Sequence, residues 1–527
     1  MFKLTTFLIV IIAFNYSYQL KPNVLLIIVD DLRPSLGVYG DKNARTPNID
    51  TLAKKSAVFT NVFAQQALCA PSRNSFLTSR RPDSLHLYDF YSYWRDAVGN
   101  FTTIPQLFKE NGYYTHSIGK VFHPGISSNF TDDSEYSWSQ TPYHPPTEKY
   151  TNDKVCVTRN GLAQNLLCPV IVDEQPGGSL PDVQSLRAAK DFLRYHKQIT
   201  ALPYFLAVGF HKPHIPLRFP IEYLSRYTLS GTKVHTFITV GYHPFENVKI
   251  PLNHFHSSGL PNVAWNPWTD IRERDDIKAL NISFPFGTIS DYTIKRIVQH
   301  YNSAVTYVDD LIGELLQSID KNTIVVILGD HGWSMGEHGE FSKFSNFDIA
   351  TKVPLIISTP GAISVQKTIP QLVELVDLFP TLVDLTKVTN GLERCLADGS
   401  NSKLCTEGKS LVPLIFSKSE DVSEKTAVFT QYPRPGEYPT LKPNSDKPHL
   451  KDINIMGYSI RTNQYRYTEW VGFDHRNFSI DWNKVFGQEL YDHNLDPNEN
   501  MNLVTRPEMN EMINFLRKKL RLGWRYI

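Results

Sequence analysis

The sequence predicts an α/β fold in which a mostly parallel β-sheet is covered by helices. Four apolar runs rich in Val, Ile and Leu lack the alternation of a half-exposed strand, which indicates strands buried on both faces. Helical patterns lie between these runs, for example over 183–197 and 292–319. Chains that alternate strand and helix in this way form α/β sheets.

Each predicted strand ends in side chains that can do chemistry. The runs are NVLLIIVDD (23–31), YYTHSIGK (113–120), YFLAVGFHKPH (204–214) and TIVVILGDHG (323–332). The polar residues at or just beyond their carboxyl ends are Asp30, Asp31, Lys120, His123, His211, Lys212, His214, Asp330 and His331. Ligands of open α/β sheets bind at the carboxyl ends of the strands. A lone Asp after a strand is usually a turn residue or helix cap, but four coincident cases indicate a shared site.

Length and composition describe an ordinary globular protein of more than one unit. The chain has 527 residues, of which 41% are hydrophobic and 20% charged, and this length exceeds one small domain. The formal net charge is +1, which excludes a global field that attracts nucleic acid or a membrane surface. An anionic substrate must therefore be bound by a local cluster of charges.

The first residues have the pattern of a secretory signal. A basic residue precedes a short apolar run within residues 1–18, as in signal peptides. Neither this run nor any later apolar run is as long as a membrane-spanning helix requires. Glycosylation triplets that suit the secretory route occur at Asn100, Asn129, Asn281 and Asn477.

The remainder of the chain is expected to form two units. The polar stretch 417–425 predicts a boundary between a catalytic domain over 19–416 and a C-terminal subdomain over 426–527. In the second unit, 454–473 has the β-branched and aromatic character of antiparallel strands. Residues 507–523 have the pattern of a closing amphipathic helix, so we expect a small α+β subdomain.

The five cysteines suit an oxidising compartment. Cys156 and Cys168 are close in sequence, as are Cys395 and Cys405. Four cysteines allow three connectivities, and pairing of near neighbours is the simplest of them. Cys69 is then left over, within the segment Cys-Ala-Pro-Ser-Arg.

Asp30, Asp31, Asp330 and His331 form two acidic clusters that the predicted sheet can bring together. Converging carboxylates repel one another, so a cation is their natural partner. Oxygen-rich ligation favours Ca²⁺ or Mg²⁺, and Ca²⁺ tolerates irregular geometry better, whereas zinc would draw more on His and Cys. The alternative is that Asp30 and Asp31 only cap the helix that follows.

Cys69 lies in a polar neighbourhood. A lone cysteine is usually a buried, inert thiol, but Ser72 and Arg73 follow closely, with further polar residues over 74–81. As an unmodified thiolate beside Arg73, Cys69 could act as a nucleophile.

Several segments together resemble the type I sulfatases. Cys-x-Pro-Ser-Arg is similar to the signature in which these enzymes oxidise the cysteine to formylglycine (3-oxoalanine). The similarity extends in order and spacing over nearly the whole mature chain, through NVLLIIVDD, LYDFYSYWR, SIGKVFHPG, FLAVGFHKPHIP, GDHGWSMGEHGEFSKFSNFD, MGYSIRTNQYRYTEW and ELYDHNLDP. The resemblance implies an alkaline-phosphatase-like sandwich with a large mixed or parallel sheet. It also implies sulfate ester hydrolysis by the hydrated aldehyde.

The resemblance assigns roles by position in the family motifs. The implied ligands of one Ca²⁺ are Asp30, Asp31, Asp330 and His331, joined by an oxygen of modified Cys69. Arg73 and Lys120 would hold the aldehyde hydrate and a sulfate oxygen, with His123 as the base. His211 and Lys343 would contact the sulfate or its leaving oxygen, since cations stabilise developing negative charge. For each basic residue alone, the alternative is a solvated surface charge.

One position departs from the sulfatase signature. Leu-Thr-Gly usually follows, whereas this chain has Leu77, Thr78 and Ser79. If the backbone there is left-handed, Ser costs about 1 kcal/mol more than Gly, which would weaken modification or local folding. The Cys-x-Pro-Ser-Arg core is intact, so we expect conversion to survive.

The most similar sulfatases remove the 2-O-sulfate of terminal iduronate in heparan and dermatan sulfate. The resemblance therefore implies a sulfated glycosaminoglycan substrate, the formylglycine-generating enzyme as a maturation partner, and a lysosomal or secreted location. Trp333 and the aromatic residues of 465–470 would line the sugar pocket, unless they only pack in the core.

Three alternatives stay open at this point. One is another glycosaminoglycan or aryl sulfatase, and a second is a phosphatase or phosphonate hydrolase of the same superfamily. The third is a catalytically inactive glycoprotein that binds sulfated polysaccharide, in which Cys69 would remain a thiol.

Overall fold

The computed structural model describes residues 21–224, 245–257, 259–361, 363, 365–396, 402–417 and 425–526. The predicted signal peptide over 1–18 lies outside these residues, as does most of the predicted boundary stretch. In the described part of the chain, no helix is both long enough and apolar enough to cross a membrane.

Strands and helices alternate along the first three quarters of the chain. The strands are β1 (Asn23–Val29), β2 (Ala57–Phe63), β3 (Tyr114–Gly119), β4 (Cys156–Thr158), β5 (Gly161–Ala163), β6 (Leu167–Val170), β7 (Tyr204–Phe210), β8 (Leu217–Pro220), β9 (Thr323–Gly329), β10 (Ser334–Met335), β11 (Phe341–Ser342), β12 (Lys352–Ser358), β13 (Lys367–Glu374), β14 (Val428–Arg434), β15 (Ile455–Arg461), β16 (Tyr465–Asp474) and β17 (Ser479–Asp492). The helices are α1 (Pro47–Ala53), α2 (Cys69–Thr78), α3 (Pro82–Leu85), α4 (Trp94–Val98), α5 (Ile104–Glu110), α6 (Ser134–Ser137), α7 (Pro181–Ile199), α8 (Thr269–Arg272), α9 (Asp275–Lys278), α10 (Asp291–Leu316), α11 (Asp348–Thr351), α12 (Leu378–Thr386), α13 (Val412–Phe416) and α14 (Asn510–Leu522).

A seven-stranded mixed sheet forms the centre of the fold, in the order β13-β2-β12-β9-β1-β7-β3. β9, β1, β7 and β3 are neighbours and run parallel, whereas β12 is antiparallel to both of its neighbours. The four parallel strands are the four apolar runs of the sequence, so the α/β prediction is confirmed. Their carboxyl ends meet at one edge of the sheet.

Both faces of this sheet are covered, which explains why its strands lack alternation. Leu25 and Ile27 of β1 pack in the same core as α7 and α10. Leu26 and Ile28 point the other way, into a core shared with α5 and α12. α7 and α10 correspond to the helical patterns at 183–197 and 292–319, with boundaries shifted by up to three residues.

The C-terminal part folds as a smaller α+β layer. β14, β15, β16 and β17 form a four-stranded antiparallel sheet, and α14 packs Ile513, Leu516 and Leu520 into its core. The antiparallel strands and closing helix expected from the sequence are confirmed. The domain limits at 416 and 426 stay a prediction.

The cysteines pair as expected from their spacing. Disulfides join Cys156 to Cys168 and Cys395 to Cys405. Cys69 is free and buried, and it is the first residue of α2.

Candidate active site

The carboxyl ends of β1 and β9 meet the amino end of α2. Asp30 and Asp31 directly follow β1, and Asp330 and His331 directly follow β9. Ligand atoms of Asp30, Cys69, Asp330 and His331 all lie within 4.8 Å of one another, although the residues are up to 301 positions apart in sequence (331 less 30). We call Asp30, Asp31, Cys69, Asp330 and His331, with the basic residues that contact them, the Cys69 centre.

The backbone around the centre is held in an uncommon geometry. Asp31 has a left-handed backbone with φ of 59°, which for a non-glycine residue costs of order 1–3 kcal/mol and persists only where neighbours enforce it. Its N–H donates to Asp330 Oδ1 over 3.0 Å, and Tyr301 Oη donates to its carbonyl over 2.7 Å. The first bond joins the carboxyl end of β1 to that of β9, and the second joins it to α10.

Two glycines allow Lys120 to reach the centre. A Cβ on Gly209 would lie 1.9 Å from the Lys120 carbonyl oxygen, and a Cβ on Gly119 would lie 2.2 Å from the Gly209 carbonyl oxygen. Only residues without a side chain permit β3 and β7 to approach this closely at their ends.

Three buried cations face the three buried carboxylates. Lys120 Nζ lies 2.6 Å from Asp30 Oδ2, and Lys343 Nζ lies 2.6 Å from Asp31 Oδ1. The Arg73 guanidinium donates to Asp30 over 2.9 Å and to Asp330 over 2.8 Å. The two lysines also reach the thiol, with Sγ distances of 3.7 Å for Lys120 and 3.1 Å for Lys343. The negative charges of the acidic cluster are thus neutralised by buried Lys and Arg side chains more fully than the sequence suggested.

The compensation is unequal between Asp30 and Asp31. Burial opposes ionisation of Asp30, but Lys120 and Arg73 outweigh it and hold its pKa well below the usual range. Burial raises the pKa of Asp31 to about 7, Lys343 opposes the rise, and the charges of Asp30 and Asp330 add to it. Asp31 Oδ2 is buried without a hydrogen-bond partner, so this oxygen is free to bind a cation.

His331 lies with its Nε2 lone pair facing Cys69 and the carboxylates of the centre. Its Nδ1 lies 3.1 Å from the Gly332 carbonyl oxygen, which assigns the ring proton to Nδ1. Nε2 lies 3.2 Å from Cys69 Sγ, 3.5 Å from Asp31 Oδ1 and 3.6 Å from Asp330 Oδ2. Burial lowers the pKa of this imidazole to about 4. A neutral nitrogen facing carboxylate oxygens is a metal-ligand arrangement.

The unmodified thiol is a poor nucleophile in this environment. Burial raises the pKa of Cys69 to about 12, with a further contribution from Asp30 that Lys120 and Lys343 only partly offset. At neutral pH the sulfur therefore stays protonated, whereas the thiolate is the reactive form. The geometry disfavours the thiolate nucleophile that the sequence left open.

His123 lies at the edge of the centre. Its imidazole stacks on Phe90 with ring centroids 4.4 Å apart, and its Nδ1 lies 3.4 Å from Ser127 Oγ. Burial, followed by the charge of Lys120, holds its pKa well below the usual range. The ring is neutral and can accept a proton.

The structure separates the two histidines of the HKPHIP segment. His211 Nδ1 lies 3.1 Å from Asp182 Oδ1, and its Nε2 lies 3.2 Å from Glu148 Oε1. Burial would lower the pKa of His211, but the contacts with Asp182 and Glu148 outweigh it and raise the pKa to about 9. His214 instead lies with its Nε2 3.9 Å from Asp31 Oδ2 and joins Asp30, Asp31 and Cys69 in a possible ligand group.

His214 is the residue of the centre to which the sequence assigned no role. The motif resemblance assigns the sulfate contact to His211, although a second histidine follows it three positions later in the same segment. Asp182 decides between them, because its carboxylate also accepts the backbone N–H groups of His211 and Lys212. No spacing rule connects Asp182 to this loop.

Three of the candidate sugar-contacting aromatics, Trp333, Tyr467 and Trp470, are buried, whereas Tyr465 is half-buried. Trp333 is buried, and Lys343 Nζ lies over its ring, 5.7 Å from the ring centroid. Tyr467 and Trp470 are buried in the C-terminal subdomain and hydrogen-bond to Glu469 and Glu489. The core alternative therefore holds for Tyr467 and Trp470.

Ser79 ends α2 in the left-handed conformation, with φ of 53°. Its hydroxyl donates to the Val376 carbonyl oxygen over 2.6 Å and lies 2.7 Å from Thr406 Oγ1. Position 79 therefore requires a left-handed backbone, which glycine adopts most easily. The hydrogen bonds of the serine hydroxyl, which glycine could not make, offset part of the conformational cost.

Comparison with protein families matches residues 22–388 to the sulfatase family. The chain belongs to the sulfatase family. Residues 336–523 also match the family described as N-sulphoglucosamine sulphohydrolase, C-terminal, which agrees with the observed C-terminal sheet. Members of the sulfatase family hydrolyse sulfuric esters, and the expected enzyme class is confirmed.

Two curated relatives are similar to this sulfatase over nearly its full length. Iduronate 2-sulfatase of Homo sapiens is 48% identical, covering 94% of this chain and 93% of the relative. The Mus musculus iduronate 2-sulfatase is 47% identical with the same coverage. The resemblance drawn from the motifs is confirmed.

Solved structures of low identity share the fold of this sulfatase. A 2-O GAG sulfatase superposes with a TM-score of 0.62 at 22% identity, covering 94% of this chain and 90% of that one. A phosphonate monoester hydrolase from Silicibacter pomeroyi superposes with a TM-score of 0.65 at 18% identity, covering 96% of both chains. At this identity the likeness concerns the fold alone.

Proposed function

We propose that this sulfatase removes the 2-O-sulfate of non-reducing-terminal iduronate in heparan or dermatan sulfate, in the lysosome or after secretion. The similarity to the two iduronate 2-sulfatases supports the choice of substrate. The observation that carries the chemistry is the environment of position 69. There two lysine Nζ atoms and a helix amino end surround a residue that also touches a carboxylate and imidazole cluster.

The residues of the centre fit one Ca²⁺ ion. Asp30, Asp31, Asp330 and His331 would hold it together with position 69. The unpartnered Oδ2 of Asp31 and the raised pKa of that carboxyl indicate a place where a divalent cation would relieve repulsion. The ion would act there as a Lewis acid that favours the ionised form of a neighbouring oxygen nucleophile.

The centre also fits formylglycine made from Cys69 by the formylglycine-generating enzyme. A thiol held protonated by burial has no evident use among metal ligands. Hydrated formylglycine supplies two hydroxyl groups on one carbon, one to attack sulfur and one whose proton can later be removed to free the sulfate.

The chain's own residues would bind and orient the sulfate. Lys120 and Lys343 flank position 69, and their positive charges would face the sulfate oxygens as negative charge develops. The N–H groups at the amino end of α2 add a positive field at the same place. Arg73 contributes indirectly, since its donors hold Asp30 and Asp330.

The histidines would divide the proton transfers. His123 is neutral and would accept the proton that must leave the remaining hydroxyl. His214, which faces Asp31, is better placed than His211 to meet the leaving oxygen. We assign His211 to positioning, because both of its ring nitrogens contact carboxylates.

Two further expectations belong to the same proposal. Asn100, Asn129, Asn281 and Asn477 are exposed, as glycan acceptors must be. The units over 19–416 and 426–527 are proposed as the catalytic domain and the C-terminal subdomain, with a cleaved signal over 1–18.

Sulfate release from defined substrates tests the function. Protein from cells that make formylglycine should release sulfate from a disaccharide with terminal 2-sulfated iduronate. It should do so far faster than from an aryl sulfate or a phosphonate monoester, and Cys69→Ala should be inactive. Preference for the aryl sulfate or another sulfated sugar would retain the family and overturn the substrate.

Mass spectrometry of the peptide containing position 69 separates the enzyme from a binding protein. We expect the mass of formylglycine in protein from competent cells. A thiol there, together with retained binding of heparan sulfate, would favour the inactive polysaccharide-binding glycoprotein.

A further inference from the structure

Two consecutive aromatic residues stack on two histidines from distant parts of the chain. Phe90 stacks on His123 with ring centroids 4.4 Å apart and planes 30° apart. Tyr91 stacks on His449 with centroids 3.6 Å apart and planes 15° apart. Since stacking restricts the plane of each imidazole, the segment sets the orientation of both rings.

A buried carboxylate fixes this aromatic segment. Asp89 is 1% exposed, and its Oδ1 accepts the backbone N–H groups of Tyr91 and Ser92 over 3.0 and 2.9 Å. Its Oδ2 accepts the N–H of Leu450 over 2.7 Å. The direction of the Phe90 ring is therefore set by a residue that also binds the C-terminal part of the chain.

The remaining contacts of His123 leave one nitrogen free. Nδ1 lies 3.4 Å from Ser127 Oγ, and Ser128 Oγ donates to the His123 carbonyl oxygen over 2.9 Å. Among the described residues none hydrogen-bonds to Nε2. With Phe90 against the ring face and Ser127 beside Nδ1, Nε2 is the nitrogen available for proton transfer.

We propose that Phe90 is a positioning residue that holds the plane of His123 so that Nε2 can take a hydroxyl proton at position 69. The proton then passes from the imidazolium to water, which restores the base. This inference rests on the proposed function, because it assumes that His123 acts on a group at position 69. Without the ring, His123 could rotate, and small misplacements of a catalytic group can cost on the order of 10²-fold in rate.

Three variants test the proposal by steady-state kinetics on the iduronate disaccharide. Phe90→Leu should lower kcat about 10-fold or more with KM changed less than about 2-fold, since substrate binding does not involve the ring. Phe90→Tyr keeps the aromatic face and should retain kcat within about 2-fold. Tyr91→Leu is the matched control, because it removes the adjacent ring that stacks on a different histidine, and it should also retain kcat.

A second readout does not need turnover. In a Cys69→Ala background, the rate at which diethyl pyrocarbonate modifies His123 measures the accessibility of its imidazole. Peptide mass spectrometry follows this rate. We expect Phe90→Leu to change this rate several-fold, while Phe90→Tyr and Tyr91→Leu match the parent.

Equal kcat in Phe90→Leu and the parent, or equal losses in Phe90→Leu and Tyr91→Leu, would overturn the proposal. If Phe90→Leu does not fold, Phe90→Met takes its place in both measurements. Absence of sulfate release by the parent enzyme would instead refute the proposed function, and the modification rates would still decide whether Phe90 orients His123.

Discussion

Two buried ion clusters in this sulfatase differ in how completely their charges are paired. The Cys69 centre leaves Asp31 Oδ2 without a partner. In the second cluster, which we call the Glu374 cluster and which comprises Arg81, Glu374, Asp377 and Lys425, every carboxylate oxygen accepts at least one hydrogen bond.

The pairing in the Glu374 cluster is geometric as well as electrostatic. Arg81 binds both oxygens of Glu374 over 2.7 and 2.6 Å, and Lys425 Nζ bridges Glu374 and Asp377 over 2.7 Å to each. Burial opposes ionisation of Glu374, but Arg81 and Lys425 outweigh it and lower its pKa to about 2. A cluster whose carboxylate oxygens are all hydrogen-bonded is costly to break, whereas one that keeps an oxygen and a lone pair open can bind something else.

The largest expected effect comes from Asp31→Asn. This change removes a proposed cation ligand, so turnover should fall roughly 10³-fold. Calcium should raise the free energy of unfolding of the parent by about 2.7 kcal/mol at a hundredfold excess over Kd, and it should not stabilise the variant. Without calcium the variant should be less stable than the parent, because Lys343 loses the carboxylate that it contacts over 2.6 Å.

Asp377→Asn is the matched control for this calcium titration. It changes a carboxylate of the Glu374 cluster, so it should lower stability and leave the response to calcium intact. Equal stabilisation of Asp31→Asn and the parent by calcium would mean that the ion does not bind at the Cys69 centre.

Glu374→Gln tests the fully paired cluster, which is the Glu374 cluster. Removing one partner of a buried ion pair leaves Arg81 uncompensated and should cost about 3–5 kcal/mol in the free energy of unfolding. Because the cluster closes on itself, kcat/KM per folded molecule should change less than about 2-fold. Urea unfolding and activity of the soluble fraction measure the two quantities, and a selective loss of kcat would contradict the assignment.

His211→Gln tests whether, within the HKPHIP segment, His211 is held in ion pairs while His214 is not. The folded pKa of His211, about 9, lies above the ordinary value of 6.5. Its stabilisation is therefore fully present below pH 6.5 and is lost as pH rises through about 9. The variant should be less stable than the parent by up to about 3 kcal/mol at pH 5.5, and the difference should vanish near pH 10.

Unfolding of both proteins across this pH range, compared with His214→Gln, checks the assignment. His214→Gln should lack this loss of a stabilising ion pair, because among the described residues the carboxylate nearest to His214 Nε2 is that of Asp31, at 3.9 Å. A stability difference for His211→Gln that does not depend on pH would show that the ring is not held as an ion pair.

Ser79→Gly should produce the smallest effect. Glycine relieves a left-handed backbone at a gain of about 1 kcal/mol, but it loses the hydroxyl contacts to Val376 and Thr406, each worth about 0.5–1.5 kcal/mol. We expect a net loss of about 1 kcal/mol or less in urea unfolding. Ser79→Ala keeps the left-handed backbone without the hydroxyl and should lose more, and the reverse order would mean that the left-handed backbone at position 79 carries no extra cost for a residue with a side chain.

Much of the fold could be predicted because its signals are local. The four parallel strands were recognisable as apolar runs without alternation, and α7 and α10 as periodic helical patterns. β2, β12 and β13 complete the sheet, but their residues mix polar and apolar positions and were not singled out. The disulfides followed from spacing, since each closes a short loop.

The candidate site was predictable only in part. Motif positions identified Asp30, Asp31, Cys69, Asp330 and His331, which the structure brings together. The sequence does not predict that Arg73, Lys120 and Lys343 neutralise the carboxylates of the site. Each of these cations is at least 43 positions away in sequence from the carboxylate that it contacts. The choice between His211 and His214 likewise depends on Asp182, which precedes His211 by 29 positions.

The sequence by itself determined which four segments become the parallel buried strands, and it favoured the cysteine pairing that leaves Cys69 free, because hydrophobic periodicity and short-loop closure act between near neighbours. Only the tertiary structure decided which charges share the Cys69 centre, which histidine faces it, and that Phe90 stacks on His123. Those outcomes depend on where strand ends and loops meet in space, and in a buried site a shift of a few ångströms separates a paired charge from an open ligand.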